Sequence, residues 1–246
     1  PFFLYVAYSV PHYPLAEPEE WTSLYDGYQL EESRKWYAAS VSHMDDGIGQ
    51  MVDALEMTGK RNNTLIVFVS DNGGQLNWYS DTDYHGSYAD KPHTVLGDNF
   101  PLRGWKVDLY EGGIRVPAFV NWPGVIEPGT RIHTPVHIAD WLPTLVHLAG
   151  GTLDTTAMQV DGSNIWSLFD SSLPAYEAHP FYWKVKEGSA VRQGPWKMIA
   201  FENGLVELYN LEEDFRETMN VKNKHPEVVK RLTDLLARFQ EGDRQN

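Results

Sequence analysis

The run at 64–70 (TLIVFVS), which ends in Asp71-Asn72-Gly73-Gly74, constrains this chain more than any other feature. It is short, almost unbroken in apolar character and rich in β-branched residues, the pattern of a strand buried on both faces, as in a parallel sheet. At its carboxyl end the chemistry changes at once to a carboxylate, an amide and two glycines. Open α/β sheets place their ligands at that end of their strands. Oxygen donors there suit a hard cation such as Ca2+ or Mg2+ better than a softer metal.

The surrounding pattern predicts a strand at 2–9, a turn through Pro11-His12-Tyr13-Pro14, and then a long helix. Tyr37, Val41, Met44, Ile48, Val52 and Leu55 recur at spacings of three and four and form one apolar face. Gly59 is its expected stop. Strand, helix and the 64–70 strand together read as a βαβ unit with parallel strands and a right-handed crossover, so that His12 and Asp71 emerge on the same edge. A loop is expected over 75–100, a strand over 116–122, and a helix over 140–149 with Asp140 as its N-cap. Past residue 175 the runs shorten to strands at 181–185, 190–193, 196–200 and 206–209, with Asn203-Gly204 as a hairpin turn. Pro226 opens a last helix whose face carries Val229, Leu232, Leu236 and Phe239.

With 246 residues, 42% hydrophobic and 13% aromatic, the chain can bury a substantial core as one large domain or two small ones. No run approaches the ~18 apolar residues of a membrane span, and residues 1–10 lack the basic start of a signal peptide. A net charge of −14 argues against nucleic acid as a partner, because that binding rests on neutralising phosphates with Lys and Arg. Basic groups gathered in a cleft can still hold an anionic ligand against the global sign. Asn62-Asn63-Thr64 is a glycosylation acceptor sequence at Asn62.

Five pieces of the sequence, in order, resemble the sulfatase family, the formylglycine-dependent sulfate ester hydrolases of the alkaline phosphatase superfamily. They are Pro-His-Tyr-Pro at 11–14, Ser-Asp-Asn-Gly-Gly at 70–74, Pro-Leu-Arg-Gly-x-Lys at 101–106, Glu-Gly-Gly-Ile-Arg-Val-Pro at 111–117 and Asp-Trp-Leu-Pro-Thr-Leu at 140–145. Ser9-Val10, His12-x-Pro14 and Asn62-Asn63-Thr64 are most similar to the arylsulfatase B (N-acetylgalactosamine-4-sulfatase) type. The resemblance implies an α/β fold: a mixed, largely parallel sheet flanked by helices, incomplete here, with a small C-terminal antiparallel sheet plus helix. Residues 1–174 would then be the C-terminal half of the catalytic domain and 175–246 a small α+β subdomain.

The family's nucleophile is a formylglycine made from a Cys or Ser in a Cys/Ser-x-Pro/Ala-x-Arg motif. This chain has no cysteine and no such serine motif. Also absent is the first strand that carries two calcium-binding aspartates. The expectation is therefore the C-terminal portion of a sulfatase, inactive alone, whose partners are the missing N-terminal half of the same domain and a sulfated carbohydrate or aryl sulfate. The resemblance implies a lysosomal or secreted location.

Taken alone, Asp71 and Asn72 would cap a turn. By resemblance they are ligands of one Ca2+, whose remaining ligands lie outside this chain, since such an ion needs about 6–8 oxygens. Lys106, by itself an ordinary surface charge, matches the family lysine that contacts sulfate, where an ammonium stabilises charge on the ester oxygens. His12 matches a histidine that contacts the sulfate and can protonate the departing alcohol. His85, His93 and Trp105 belong to the segment that shapes substrate access. Arg103 and Arg115 are expected in structural pairs, and Asp45-Asp46 on the helix surface. Two alternatives stand beside the hydrolase: a phosphodiesterase or phosphonate hydrolase of the same superfamily, and a non-catalytic sulfoglycan-binding protein on this scaffold.

Overall fold

Helix formation in the first half of the chain is closed by glycine where the sequence places it. The computed structural model describes residues 1–12, 15–76, 97–154, 158, 160–170, 172–176 and 178–243. It divides into two compact units, Pro1–Trp122 and Pro123–Asn246. In the first, α1 (Glu19–Thr22) and a 3₁₀ turn (Ser23–Tyr25) lead into α2 (Glu32–Met57). Gly59 takes φ 66 and donates to Glu56 O at 2.9 Å, while Lys60 N donates to Leu55 O at 2.8 Å. These two bonds are a Schellman motif, and only a residue without Cβ enters that conformation at low cost. The predicted apolar face of α2 is half-buried. Against α2 the α1 segment folds back: Trp21 stacks on His43 with centroids 4.7 Å apart, Glu17 Oε2 lies 2.6 Å from His43 Nδ1, and Tyr25 OH meets Ser42 Oγ at 2.6 Å.

The run at 64–70 forms β1 (Ile66–Val69), half-buried throughout, but its neighbour differs from the one expected. It pairs antiparallel with β2 (Ala118–Asn121), in a register that sets Phe68 opposite Phe119 with rings stacked at 4.7 Å. The βαβ unit is not formed, because residues 2–9 enter no strand. Phe2, Phe3, Leu4 and Tyr5 are each more than half exposed. High strand propensity makes a strand only where a neighbouring edge accepts the backbone bonds, and none of the described strands does so for this run. Both described sheets are antiparallel.

In the second unit, α4 (Trp141–Leu148), numbered after the short turn α3 (Glu111–Ile114), follows a 3₁₀ turn at Ile138–Asp140. Asp140 holds the N-cap position of α4, as expected, but its side chain makes no cap bond there. The side-chain cap belongs to the 3₁₀ turn, where His137 Nδ1 accepts from Ala139 N at 3.3 Å while Asp140 Oδ2 accepts from His137 N at 2.7 Å. Asp140 is fully buried, and its other oxygen accepts from Ser163 N at 2.8 Å and lies 2.6 Å from His179 Nε2. Both carboxylate oxygens of Asp140 are thus taken by partners outside α4. Gly150 closes α4 in the same way as Gly59 closes α2, with φ 75 and bonds to His147 O and from Gly151 N to Val146 O.

The C-terminal sheet is a meander of β3 (Phe181–Val185), β4 (Gly188–Gln193), β5 (Trp196–Phe201) and β6 (Val206–Asn210). Asn203-Gly204 makes the last turn, with Gly204 at φ 84 and Asn203 Oδ1 accepting from Leu205 N. The helix α5 (Pro226–Asp243) covers one face, seating Val228, Leu232, Leu235 and Leu236 on Val191, Met198 and Leu208. Alternation then puts Lys197 on the opposite face, where it is fully buried and pairs at 2.8 Å with the equally buried Glu217. Among the described residues no helix is long and apolar enough to cross a membrane.

Glu217→Ala leaves Lys197 buried without its counter-charge, and the second unit should lose about 3–5 kcal/mol by denaturant unfolding. Lys197→Met combined with Glu217→Met should recover most of that loss, and equal losses in the single and double variants would show that the pair is not the cause. His137 is held below the ordinary imidazole range by burial, opposed by Asp140 and Asp161 and reinforced by His179. The unfolded chain takes up a proton near pH 6.5 that the folded unit accepts only at lower pH. The stabilisation from neutral His137 is therefore complete above about pH 6.5 and is lost as pH falls through the lowered folded value. His137→Asn, which keeps a capping side chain, should give a shallower fall in melting temperature between about pH 7 and pH 5.

Candidate active site

Three segments meet past the end of β1 through their main chains. Ser70 N donates to Pro117 O at 3.1 Å, Gly73 N to Gly113 O at 2.9 Å, Gly112 N to Arg103 O at 2.6 Å and Lys106 N to Gly74 O at 3.0 Å. These approaches leave no room for side chains. A Cβ on Gly73 would lie 1.7 Å from Gly112 O, one on Gly112 2.2 Å from Gly104 O, and one on Gly113 2.2 Å from Asp108 O. Gly73 is therefore required by contact with the Gly112-Gly113 backbone, and Gly112 and Gly113 by contact with the backbone of residues 103–108.

This packing carries the candidate residues. Asp71 is exposed, and Asn72 beside it is half-buried with Nδ2 donating to Gly73 O at 2.9 Å. Lys106 is half-buried on a turn in which Asp108 N donates to Trp105 O at 2.9 Å and Asp108 Oδ2 accepts from Trp105 N at 2.8 Å. Val107, next in that turn, has φ 80, the left-handed value that the third residue of a type II turn adopts. A β-branched residue there is strained and persists only where its surroundings over-determine it. The structure thus brings the Asp71-Asn72 pair and the Lys106 turn into one hydrogen-bonded cluster.

His12 sits on an exposed turn, with its N–H donating to Ser9 O at 3.0 Å. The paired strand expected to deliver it beside Asp71 is not formed. Trp105 is half-buried within the lysine turn, and His85 and His93 lie outside the described residues. Arg103 and Arg115 have the structural partners expected of them. The Arg103 guanidinium lies 3.8 Å from the Tyr110 ring centroid and donates to Tyr110 OH, and Arg115 Nη1 lies 3.9 Å from the buried Glu111 carboxylate. Asp45 and Asp46 are exposed on α2, Asp46 accepting from Gln50, and Asn62 is exposed in a 3₁₀ turn (Arg61–Asn63).

Sequence reading passed over Asn99. Its Oδ1 accepts from Gly74 N at 2.9 Å, and its Nδ2 donates to Gly74 O and Gly104 O, both at 3.0 Å. An Asn just before Phe-Pro-Leu-Arg reads as a turn residue, so its reach across 25 positions to Gly74 carries no local signal.

As a donor set, the Asp71 carboxylate and the Asn72 side-chain carbonyl fit a hard divalent cation, with Asn72 Nδ2 already engaged by Gly73 O. They supply a fraction of the ~6–8 oxygens such an ion takes. Among the described residues no cluster of three or more His, Cys, Asp or Glu adds to them.

The Sulfatase family model matches residues 1–151, and the model described as N-sulphoglucosamine sulphohydrolase, C-terminal, matches 104–242. Arylsulfatase J of Mus musculus is 31% identical over 97% of this chain and 45% of its own length. The crystal structure of Ps i-CgsB in complex with k-i-k-neocarrahexaose superposes with a TM-score of 0.81 at 32% identity, over 98% of this chain and 49% of that one. A structure solved in complex with its substrate D-glucosamine-2-N,6-O-disulfate shares the fold, with a TM-score of 0.62 at 22% identity over 86% of this chain and 41% of that one. The chain thus spans about half the length of the relatives it matches.

Gly73→Ala drives a methyl into a peptide oxygen and should unravel the cluster, seen as loss of exchange protection at the Gly73, Gly112 and Lys106 amides. Gly49→Ala, on α2 with open space around its Cβ position, should be neutral or stabilising by up to about 1 kcal/mol. Equal behaviour of the two variants would remove the argument that contact, and not flexibility, demands glycine at 73.

Proposed function

The chain belongs to the sulfatase family, and from that premise we propose that it contributes one side of the active site of a sulfuric ester hydrolase. The observation that carries this reading is the main-chain cluster that locks the Lys106 turn to the segment bearing Asp71 and Asn72. Asp71 and Asn72 would hold one Ca2+ together with ligands from outside this chain. The formylglycine, for which this chain has neither a cysteine nor the serine motif, would supply the nucleophile from the same missing half.

Within that site the residues of this chain bind and orient. The Lys106 ammonium would neutralise the non-bridging sulfate oxygens and the charge that grows on the ester oxygen as the S–O bond breaks. His12 would give a proton to the departing alcohol. Trp105 in the lysine turn would present an aromatic face to the sugar or aryl group, with His85 and His93 completing the approach. The substrates that fit are sulfated sugars or aryl sulfates. A sulfated sugar is the named substrate of one solved relative, at an identity that shows only the fold. Residues 1–174 would form the catalytic half and 175–246 a small C-terminal subdomain. The exposed Asn62 acceptor sequence agrees with passage to a lysosome or the cell exterior.

The purified chain, given Ca2+ and a chromogenic aryl sulfate, should show no turnover. Joined to a formylglycine-bearing N-terminal half, it should become active. In that enzyme Asp71→Asn and Asn72→Ala should lower activity in a way that excess Ca2+ partly restores, whereas Lys106→Ala and His12→Ala should not be restored. His12→Ala should lose about 10²–10⁴ on sugar sulfates, whose alcohols leave poorly, and much less on esters of acidic phenols. Turnover by the chain alone, or equal losses on both ester types, would overturn the assignment.

A further inference from the structure

We propose that Asn99 is a positioning residue that holds Lys106 at the site, an inference that rests on the reading of Lys106 as the sulfate contact. Asn99 acts as a substitute strand residue. Its amide takes both hydrogen-bonding groups of Gly74, accepting from N and donating to O, and adds a bond to Gly104 O, all within 2.9–3.0 Å. The same Gly74 oxygen accepts from Lys106 N at 3.0 Å. One side chain thus ties the peptide that follows Asp71-Asn72 to the glycine that opens the lysine turn.

Two further observations show that this tie opposes strain. Val107 is held at φ 80, where a β-branched residue is unfavourable, so the turn must be kept in place from outside itself. Gly74 is fitted to Asn99, since a Cβ there would lie 2.8 Å from Asn99 Oδ1. Asp108 closes the turn from its far side through the Trp105 amide, but Asp108 belongs to the turn and cannot fix it to β1. Asn99 does so together with the Lys106 N–H, and the lysine backbone is thereby registered against the strand end.

The test uses the 246-residue chain, hydrogen exchange, and inorganic sulfate as the probe. Lys106 amine reactivity toward an acylating reagent is followed by mass spectrometry with and without sulfate. Asn99→Ala should speed exchange of the Lys106 amide by roughly tenfold or more and abolish sulfate protection of its amine, while the amides of the β1–β2 ladder stay as slow as before. Asn99→Asp keeps the acceptor for Gly74 N and loses both donations, so it should free the Lys106 amide and spare the Gly74 amide. Adding Val107→Gly to Asn99→Ala relieves the strain and should restore the slow Lys106 amide, a rescue that general destabilisation would not give. Unchanged Lys106 exchange in Asn99→Ala, or a parallel rise in the β1–β2 amides, overturns the positioning role. Absence of sulfate protection in the unmodified chain overturns the reading of Lys106 as a sulfate contact, and the exchange results still decide whether Asn99 holds the turn.

Discussion

The contact of peptide with peptide at Gly73, Gly112 and Gly113 is the constraint on which the candidate site depends. With oxygens about 2 Å from where each Cβ would sit, no side chain fits at Gly73, Gly112 or Gly113 between the segments that meet there. The segments that carry Asp71, Asn72 and Lys106 are therefore held together by main-chain bonds, to which the Asn99 side chain adds its own to Gly74 and Gly104. Such a scaffold leaves the side chains around it available for other tasks. Arg103 and Arg115 then serve as outer ties, one stacked on Tyr110 and the other beside Glu111.

The second unit solves a different problem by different means. Its sheet has two unlike faces because alternation along β5 sends Met198 to the apolar contact with α5 and Lys197 to the other side. A buried ammonium is tolerable only with a buried carboxylate, and Glu217 provides it from a residue at φ 55. Such a pair contributes little net stability compared with an apolar filling, and its strength lies in penalising any arrangement that separates the partners. Asp140 works similarly, gathering His137, Ser163 and His179 around one buried carboxylate.

What the sequence disclosed follows the range of the interactions involved. The helices α2 and α5, the four C-terminal strands and the Asn203-Gly204 turn were legible because periodicity and turn chemistry act over a few residues. The same holds for the arginine pairings, whose partners lie within seven positions. The run at 64–70 declared its burial but not its partner, since apolar character says nothing about the direction of the neighbouring strand. Residues 2–9 show the converse, strand composition without a described edge to join. Asp140 was legible as the residue at the cap position of α4, but its distant side-chain partners, Ser163 and His179, are invisible locally.

The lysine turn carries that argument to its limit. Valine is a poor choice for a left-handed position, so nothing in Trp105-Lys106-Val107-Asp108 announces the conformation that the residues adopt. In the proposed role of Asn99, the conformation is held from outside the turn, by an asparagine whose amide bridges Gly104 and the distant Gly74. The arrangement has a use for a cation that must meet a small anion. Fixing a residue's backbone costs about 1–2 kcal/mol, and ordering a lysine side chain up to roughly 2 kcal/mol more. When folding has already met the first cost, ligand binding has only the side chain left to order. The strain at Val107 is maintained by bonds to Gly74 and Gly104, which lie outside the reacting groups. The main chain at Lys106 is thus prepared in advance, and in the proposed role its flexible tip would retain the freedom to follow the sulfate oxygens as charge shifts among them.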